Sequence, residues 1–203
     1  MTDAAAPTLV LASASAARLT VLRQAGVEPV RDPAAVDEDM VKDSLRAEGA
    51  DAAHVALTLA DLKAQQVSRR RAGAFVIGAD QMLECNGVWF DKPPDLDHAR
   101  GHLAALRGQT HELVTAAVVV RDGARIWQHV DRARLTMRSF SDAFVESYLN
   151  QVGEDACRSV GAYQLEGLGA QLFSRVEGDF FTVLGLPLLP LLDFLRGHGI
   201  VTE

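Results

Sequence analysis

The sequence predicts an α/β protein: a mixed, partly antiparallel twisted sheet with flanking helices and a central cleft. Three observations predict it. Phe75, Val76 and Ile77 form an unbroken apolar run, the pattern of a strand buried on both faces. Asn86-Gly87 and Asp122-Gly123 each stand between β-rich arms and signal hairpins, hence antiparallel pairs. Segments of helical period separate these strands, so helices cover the sheet.

At 203 residues and 48% hydrophobic, the chain can bury a substantial core. One domain over 1–203 is expected, with room for two lobes around a cleft and a flexible tail over 1–7. The net charge of −7 argues against general binding to nucleic acid or to anionic membranes. Cys85 and Cys157 form no ligand-spaced cluster, which disfavours structural zinc and suits a reducing cytoplasm. Met1 to Pro7 lacks a basic segment and a long apolar core, so no signal peptide is expected. Leu184 to Leu195 is too short to span a bilayer and is broken by Pro187 and Pro190.

In order, Thr8 to Leu11 is a short apolar strand, and Ala12 to Ser15 a loop of small residues. A helix follows, N-capped by Ser15, with Leu19, Leu22 and Ala25 on its buried face and Gly26 at its end. Strand, small loop and helix can form an anion site, because backbone N–H groups and the helix N-terminus share one target. Arg18 could add a bidentate grip on phosphate. By itself the loop reads first as a plain turn with a surface arginine. Arg31 to Asp39 reads as a loop. Asp37, Glu38 and Asp39 either cap the next helix or include a ligand to a divalent cation. Met40 to Glu48 and Ala52 to Arg71 read as helices, the second with a stripe at Val55, Leu59, Leu62 and Gln66. Lys63 stands beside that stripe, and Arg69 to Arg71 make a solvated end.

Gly78 is expected to end the Phe75–Ile77 strand, and Asp80 to stand where the chain leaves the core. Ligands collect at strand ends in sheets of this kind. The Asn86-Gly87 hairpin, with Leu83 and Val88 to Phe90 as arms, could return Lys92 towards Asp80. Pro93-Pro94-Asp95 makes a stop and an N-cap for a helix over His98 to Leu106, ended by Gly108. Leu113 to Val120 and Arg125 to Met137 are the arms of the second hairpin. Ser141 caps a helix through Leu149. The Gly-rich stretch Gly153 to Asp179 is expected to line one wall of the cleft, with a strand over Ala170 to Val176. A final helix runs from about Pro187 to Arg196.

These motifs together resemble the Maf-like nucleotide pyrophosphatases over nearly the whole chain. Leu11-Ala-Ser-Ala-Ser-Ala-Ala-Arg18 resembles the family's opening phosphate loop, Asp37-Glu38 its acidic pair, and Leu59-Ala-Asp-Leu-Lys-Ala64 its lysine helix. Gly78-Ala-Asp-Gln81 resembles the catalytic segment and Lys92-Pro93 the lysine beyond it. Gly108, His111, Thr115, Gly161-Ala-Tyr163, Glu166-Gly167, Glu177-Gly178-Asp179 and Gly185-Leu-Pro187 also match. The resemblance implies a fold shared with inosine-triphosphatase-like proteins and cleavage of a nucleoside triphosphate into monophosphate and diphosphate. It implies Asp80 as the proton acceptor, Ser13 and Arg18 as phosphate ligands, Lys63 and Lys92 as neutralising cations, and Glu38 with Asp80 as ligands to Mg²⁺ or Mn²⁺. It also implies house-cleaning of modified nucleotides, with a link to arrest of division.

The chemistry agrees with those residue types. A triphosphate repels nucleophiles, so its hydrolysis needs placed cations, a metal and an oriented water. A carboxylate beside cations is expected to have a depressed pKa, which makes Asp80 a weak base that a metal would compensate. Gln81 and Glu166 resemble the branch that prefers 7-methyl-GTP over dTTP or UTP. A carboxylate also suits the donor edge of guanine. Both are equally readable as loop polarity. Ala17 replaces a larger residue common in the family and would widen the base pocket. Rival readings are a pyrophosphatase for other altered purines and a non-catalytic nucleotide sensor. A homodimer is compatible with the sequence.

Overall fold

The computed structural model describes residues 8–202, so the tail expected over 1–7 lies outside the described residues. Among the described residues, seven strands form one sheet. Strand β1 (Leu9–Leu11) pairs in parallel with β2 (Val30–Arg31) and with β3 (Phe75–Cys85). The rest is antiparallel: β4 (Val88–Phe90), β5 (Thr110–Arg121), β6 (Ala124–Met137) and β7 (Phe173–Glu177). The order is β2-β1-β3-β5-β6-β7, with β4 also beside β3. This is the mixed sheet that the buried run and the hairpins predicted. Asn86 and Asp122 sit at φ 53° and 49°, each followed by a glycine at 79°. Two successive left-handed residues are what a tight two-residue hairpin demands.

The helices are α1 (Ala16–Gln24), α2 (Glu38–Ala47), α3 (Ala52–Ser68), α4 (Leu96–Leu106), α5 (Asp142–Val152), α6 (Phe180–Val183) and α7 (Leu188–Gly197). The expected caps hold: Ser15, Asp37, Asp95 and Ser141 each accept a hydrogen bond from the backbone N–H three residues on. Strand β2 lies partly in the stretch read as loop, and α6 was not foreseen. With two and four residues they are too short to show a period. The stretch after α5 forms three short 3₁₀ turns, and β7 starts at Phe173 rather than Ala170.

One face of the sheet packs on α3, through Val55, Leu59 and Val67 against Val76, Met82 and Val114. The other packs on α1 and α7, through Leu22 and Leu191 against Ile77 and Val119. Beyond the cleft, α4 and α5 cover Leu83, Leu113 and Leu135.

Two expectations are corrected here, and both shape the site. Gly78 does not end the strand: it lies inside β3, paired with Val118. A Cβ there would stand 2.1 Å from the Ala60 carbonyl oxygen and 2.8 Å from the Ala64 Cβ. The bare backbone therefore lets α3 lie directly against β3. Nor is Leu62 on the buried stripe; it is 39% exposed. The buried positions include Val55, Leu59, Lys63 and Val67, one every four residues, so Lys63 itself faces the core.

Asp80, for its part, does not mark an exit from the sheet; it sits mid-strand opposite Ala116. What opens here is the other edge of β3. Strand β1 covers it as far as Ile77, and β4 begins at Leu83. Between them, residues 78–82 have no strand partner on that side among the described residues. Helix α1 approaches this gap from one face of the sheet, and α3 from the other.

Candidate active site

At the gap, the Lys63 ammonium lies 2.6 Å from Asp80 Oδ1 and 2.7 Å from Glu38 Oε1. Helix α3 supplies the lysine, β3 the aspartate and the start of α2 the glutamate. Asp80 is 5% exposed, and its second oxygen, Oδ2, is buried with no hydrogen-bond partner among the described residues. An orphaned carboxylate oxygen costs about 1–3 kcal/mol or more, and most buried polar atoms avoid it. A water or a cation would satisfy it.

Arg18 closes the gap from the α1 side. Its Nη1 donates to the Ala79 carbonyl at 2.9 Å and to Ser13 Oγ at 3.2 Å, and its Nε donates to the Gly185 carbonyl at 2.7 Å. It thereby caps the backbone acceptor that the missing strand leaves free. The bidentate grip on phosphate expected of Arg18 is not what the structure presents, because two of its three nitrogens already hold protein acceptors. Ser13 Oγ also accepts from the Ser15 N–H at 3.2 Å, which leaves its own hydroxyl proton free to donate. Arg31 donates to the Ser13 and Ala14 carbonyls and so shapes the loop from β2. Lys92 reaches the same group of charges without an ion pair among the described residues, and it keeps an exposed surface. Ser13, Arg18, Glu38, Lys63, Asp80 and Lys92 are thus brought together, as the motifs implied.

The electrostatics correct one expectation. Burial raises the Asp80 pKa above the ordinary carboxylate value, and the attraction of Lys63 and Arg18 does not cancel that rise. Asp80 is a stronger base than its cationic neighbours alone would make it. Burial also pushes Glu38 upwards, but Lys63, Lys42 and Lys92 outweigh it, and Glu38 lies below its ordinary value. Lys92 is lowered by partial burial of its ammonium and then by repulsion from Arg18.

Glu38 and Asp80 are hard oxygen donors that share one cation, and Asp80 keeps an unused buried oxygen. No group of three or more His, Cys, Asp or Glu side chains that could hold a metal occurs among the described residues. The pair fits an ion such as Mg²⁺, which takes one or two carboxylates and completes its shell with water and substrate phosphate.

The residues linked to base choice are arranged differently. Gln81 leaves β3 on the face opposite Asp80. Its amide nitrogen donates to Thr115 Oγ1 at 2.9 Å and to the Thr182 and Val183 carbonyls at 3.0 and 3.2 Å. Glu166 is exposed, in the turn-rich segment near Tyr148. Beside it, a hollow of about 220 Å³ is lined by Tyr148, Gln151, Asp155 and Gln164, among others. Ala17 is half-buried in the first turn of α1. Among the described residues, no hydrogen bond or ion pair joins these three to the Lys63–Asp80 pair.

Sequence reasoning missed Lys42. It lies one turn after Glu38 on α2, forms an ion pair with Asp91, and feels the charges of Asp80 and Glu38. Four-residue spacing from Glu38 was the available signal.

A sequence profile of the family described as Maf-like protein matches residues 8–198. The nucleoside triphosphate pyrophosphatase of Paramagnetospirillum magneticum is 60% identical over 189 residues, covering 93% of this chain and 97% of its own. That of Granulibacter bethesdensis is 56% identical over 96% of this chain and 98% of its own. The 7-methyl-GTP pyrophosphatase of Mesorhizobium japonicum is 49% identical over 95% and 97%.

Proposed function

The chain belongs to the Maf-like family, and we propose that it is a hydrolase that splits nucleoside triphosphates into a nucleoside monophosphate and diphosphate. The observation that carries the reading is Asp80: buried, raised in pKa, ringed by Arg18, Lys63 and Lys92, and holding one oxygen without a partner. A proton acceptor at a phosphoryl-transfer site needs this combination, basic enough to take a proton from water yet surrounded by charge that attracts phosphate.

In the reaction, Asp80 Oδ2 orients a water and takes its proton as the water oxygen bonds to phosphorus. The bridging oxygen between the α and β phosphates leaves with the diphosphate. Ser13 and the loop N–H groups bind phosphate oxygens, while Arg18 fixes the loop to β3. Lys63 and Lys92 balance the charge that builds on the phosphoryl oxygens. Glu38 and Asp80 would hold Mg²⁺ or Mn²⁺, which supplies charge neutralisation and a more acidic water.

For the base, we favour 7-methyl-GTP over dTTP and UTP. Support comes from Gln81 and Glu166 and from relatives that carry that name, although relatives of higher identity carry the general one. House-cleaning of modified nucleotides in the cytoplasm fits an acidic chain in which no described helix is long and apolar enough to cross a membrane. The test is diphosphate release from a panel of standard and modified triphosphates, with and without Mg²⁺. Asp80→Asn should lower the rate about 10³-fold. A variant as fast as the wild type would remove Asp80 from the mechanism. No release from any triphosphate would favour a nucleotide sensor, which needs no base.

A further inference from the structure

Helix α2 carries Glu38, yet none of its side chains is buried. Val41 and Leu45 only partly cover the cluster under α3. Its firm ties are made by charged residues spaced four apart, on one face of the helix. Glu38 meets Lys63 at 2.7 Å. Lys42 forms its ion pair with Asp91, and the Arg46 guanidinium stacks 4.5 Å over the Trp89 ring. Trp89 lies in β4 and Asp91 directly follows that strand, immediately before Lys92. The Lys42 side chain is only 13% exposed, so the pair is partly shielded rather than a loose surface contact.

We propose that Lys42 is a positioning residue of the phosphate site: through Asp91 it fastens α2 to the segment that carries Lys92, and so holds Glu38 and Lys92 facing Asp80. The inference rests on the pyrophosphatase reading. It explains how an uncommitted lysine and a helix without buried side chains keep a fixed place at the rim. Displacements of about 1 Å in such groups are enough to slow catalysis strongly.

The test compares Lys42→Met, Asp91→Asn and the double variant by steady-state kinetics and by hydrogen exchange of the α2 amides. Each single variant should lower kcat/KM about tenfold, and the double variant should fall no further, the mark of two residues acting as one unit. Exchange should quicken over 38–47 in all three and stay unchanged in α3 and β3. If Asp91→Asn keeps or improves kcat/KM while Lys42→Met loses it, Lys42 binds phosphate directly and the proposal falls. Unchanged exchange in α2 would also overturn it. A wild type that releases no diphosphate would count against the pyrophosphatase reading, while the exchange comparison would still decide whether the tie holds α2.

Discussion

Two buried polar pairs sit on adjacent strands of the sheet, and they handle burial in opposite ways. On β3, Asp80 meets Lys63 at 2.6 Å, and both belong to a cluster of charges. On β5, His111 Nε2 meets the Tyr163 hydroxyl at 2.7 Å, with Phe173 packed beside both rings. Each pair leaves one buried atom without a partner: Asp80 Oδ2 in the first and His111 Nδ1 in the second. The β5 pair escapes the penalty of buried charge by staying neutral, since burial lowers His111 to about 4 and pushes Tyr163 well above 10. The β3 pair gathers opposite charges instead. A protein that needed only stability at Asp80 could have used the neutral solution, which hydrophobic or neutral replacements of buried ion pairs generally match or exceed. The retained charge is what the role proposed for Asp80 would require.

The sharpest way to break this comparison is Lys63→Met. It should abolish diphosphate release and destabilise the fold by about 3–5 kcal/mol, because buried Asp80 would lose the one cation it is hydrogen-bonded to. Lys63→Met combined with Asp80→Asn should recover part of that loss in urea unfolding. A single variant as stable as the wild type would mean that the buried charge is not under strain.

The next effect is on pH. His111 has a folded pKa of about 4 against an ordinary value of 6.5, so between these limits the unfolded chain binds more protons. Its contribution is complete above about 6.5 and is lost as pH falls towards 4, a change of about 3 kcal/mol. Asp80 acts with the opposite sign. Its folded pKa is raised, so its contribution is present in acid and lost as pH rises through that value. In His111→Phe, the fall in melting temperature from pH 6.5 to 4 should flatten relative to the wild type. An identical slope in both proteins would remove His111 from the acid response.

The smallest effect concerns base choice. Glu166 is exposed, so Glu166→Gln should change the ratio of 7-methyl-GTP to dTTP turnover by about tenfold or less. A larger swing would show that the outer turn closes onto the base and controls selection.

Much of this was legible in the sequence, for identifiable reasons. The buried run, the Asn-Gly and Asp-Gly turns and the four side-chain caps are local signals, and each was found in place. The charged cluster was legible only through its ordered motifs, because its members come from five separate stretches of chain. Lys63 shows where pattern reading fails. Helical spacing from Leu59 fits Leu62 at three residues and Lys63 at four, and the fold buries Lys63. What offsets the burial of its ammonium is Asp80 and Glu38, and neither is near it in sequence. The same blindness reversed the sign expected for Asp80, whose shift comes from depth, a quantity that residue types alone do not carry. Arg18 looked like a free phosphate ligand because its carbonyl partners, Ala79 and Gly185, are set by tertiary folding.

The unpaired stretch of β3 has a mechanical meaning as well. Among the described residues no ladder joins β1 to β4; within the sheet the two are linked through β3. Within the sheet, therefore, no rung of a ladder closes the mouth between them. Beside this mouth, Arg18 ties α1 to β3 at Ala79 and to the turn before α7 at Gly185.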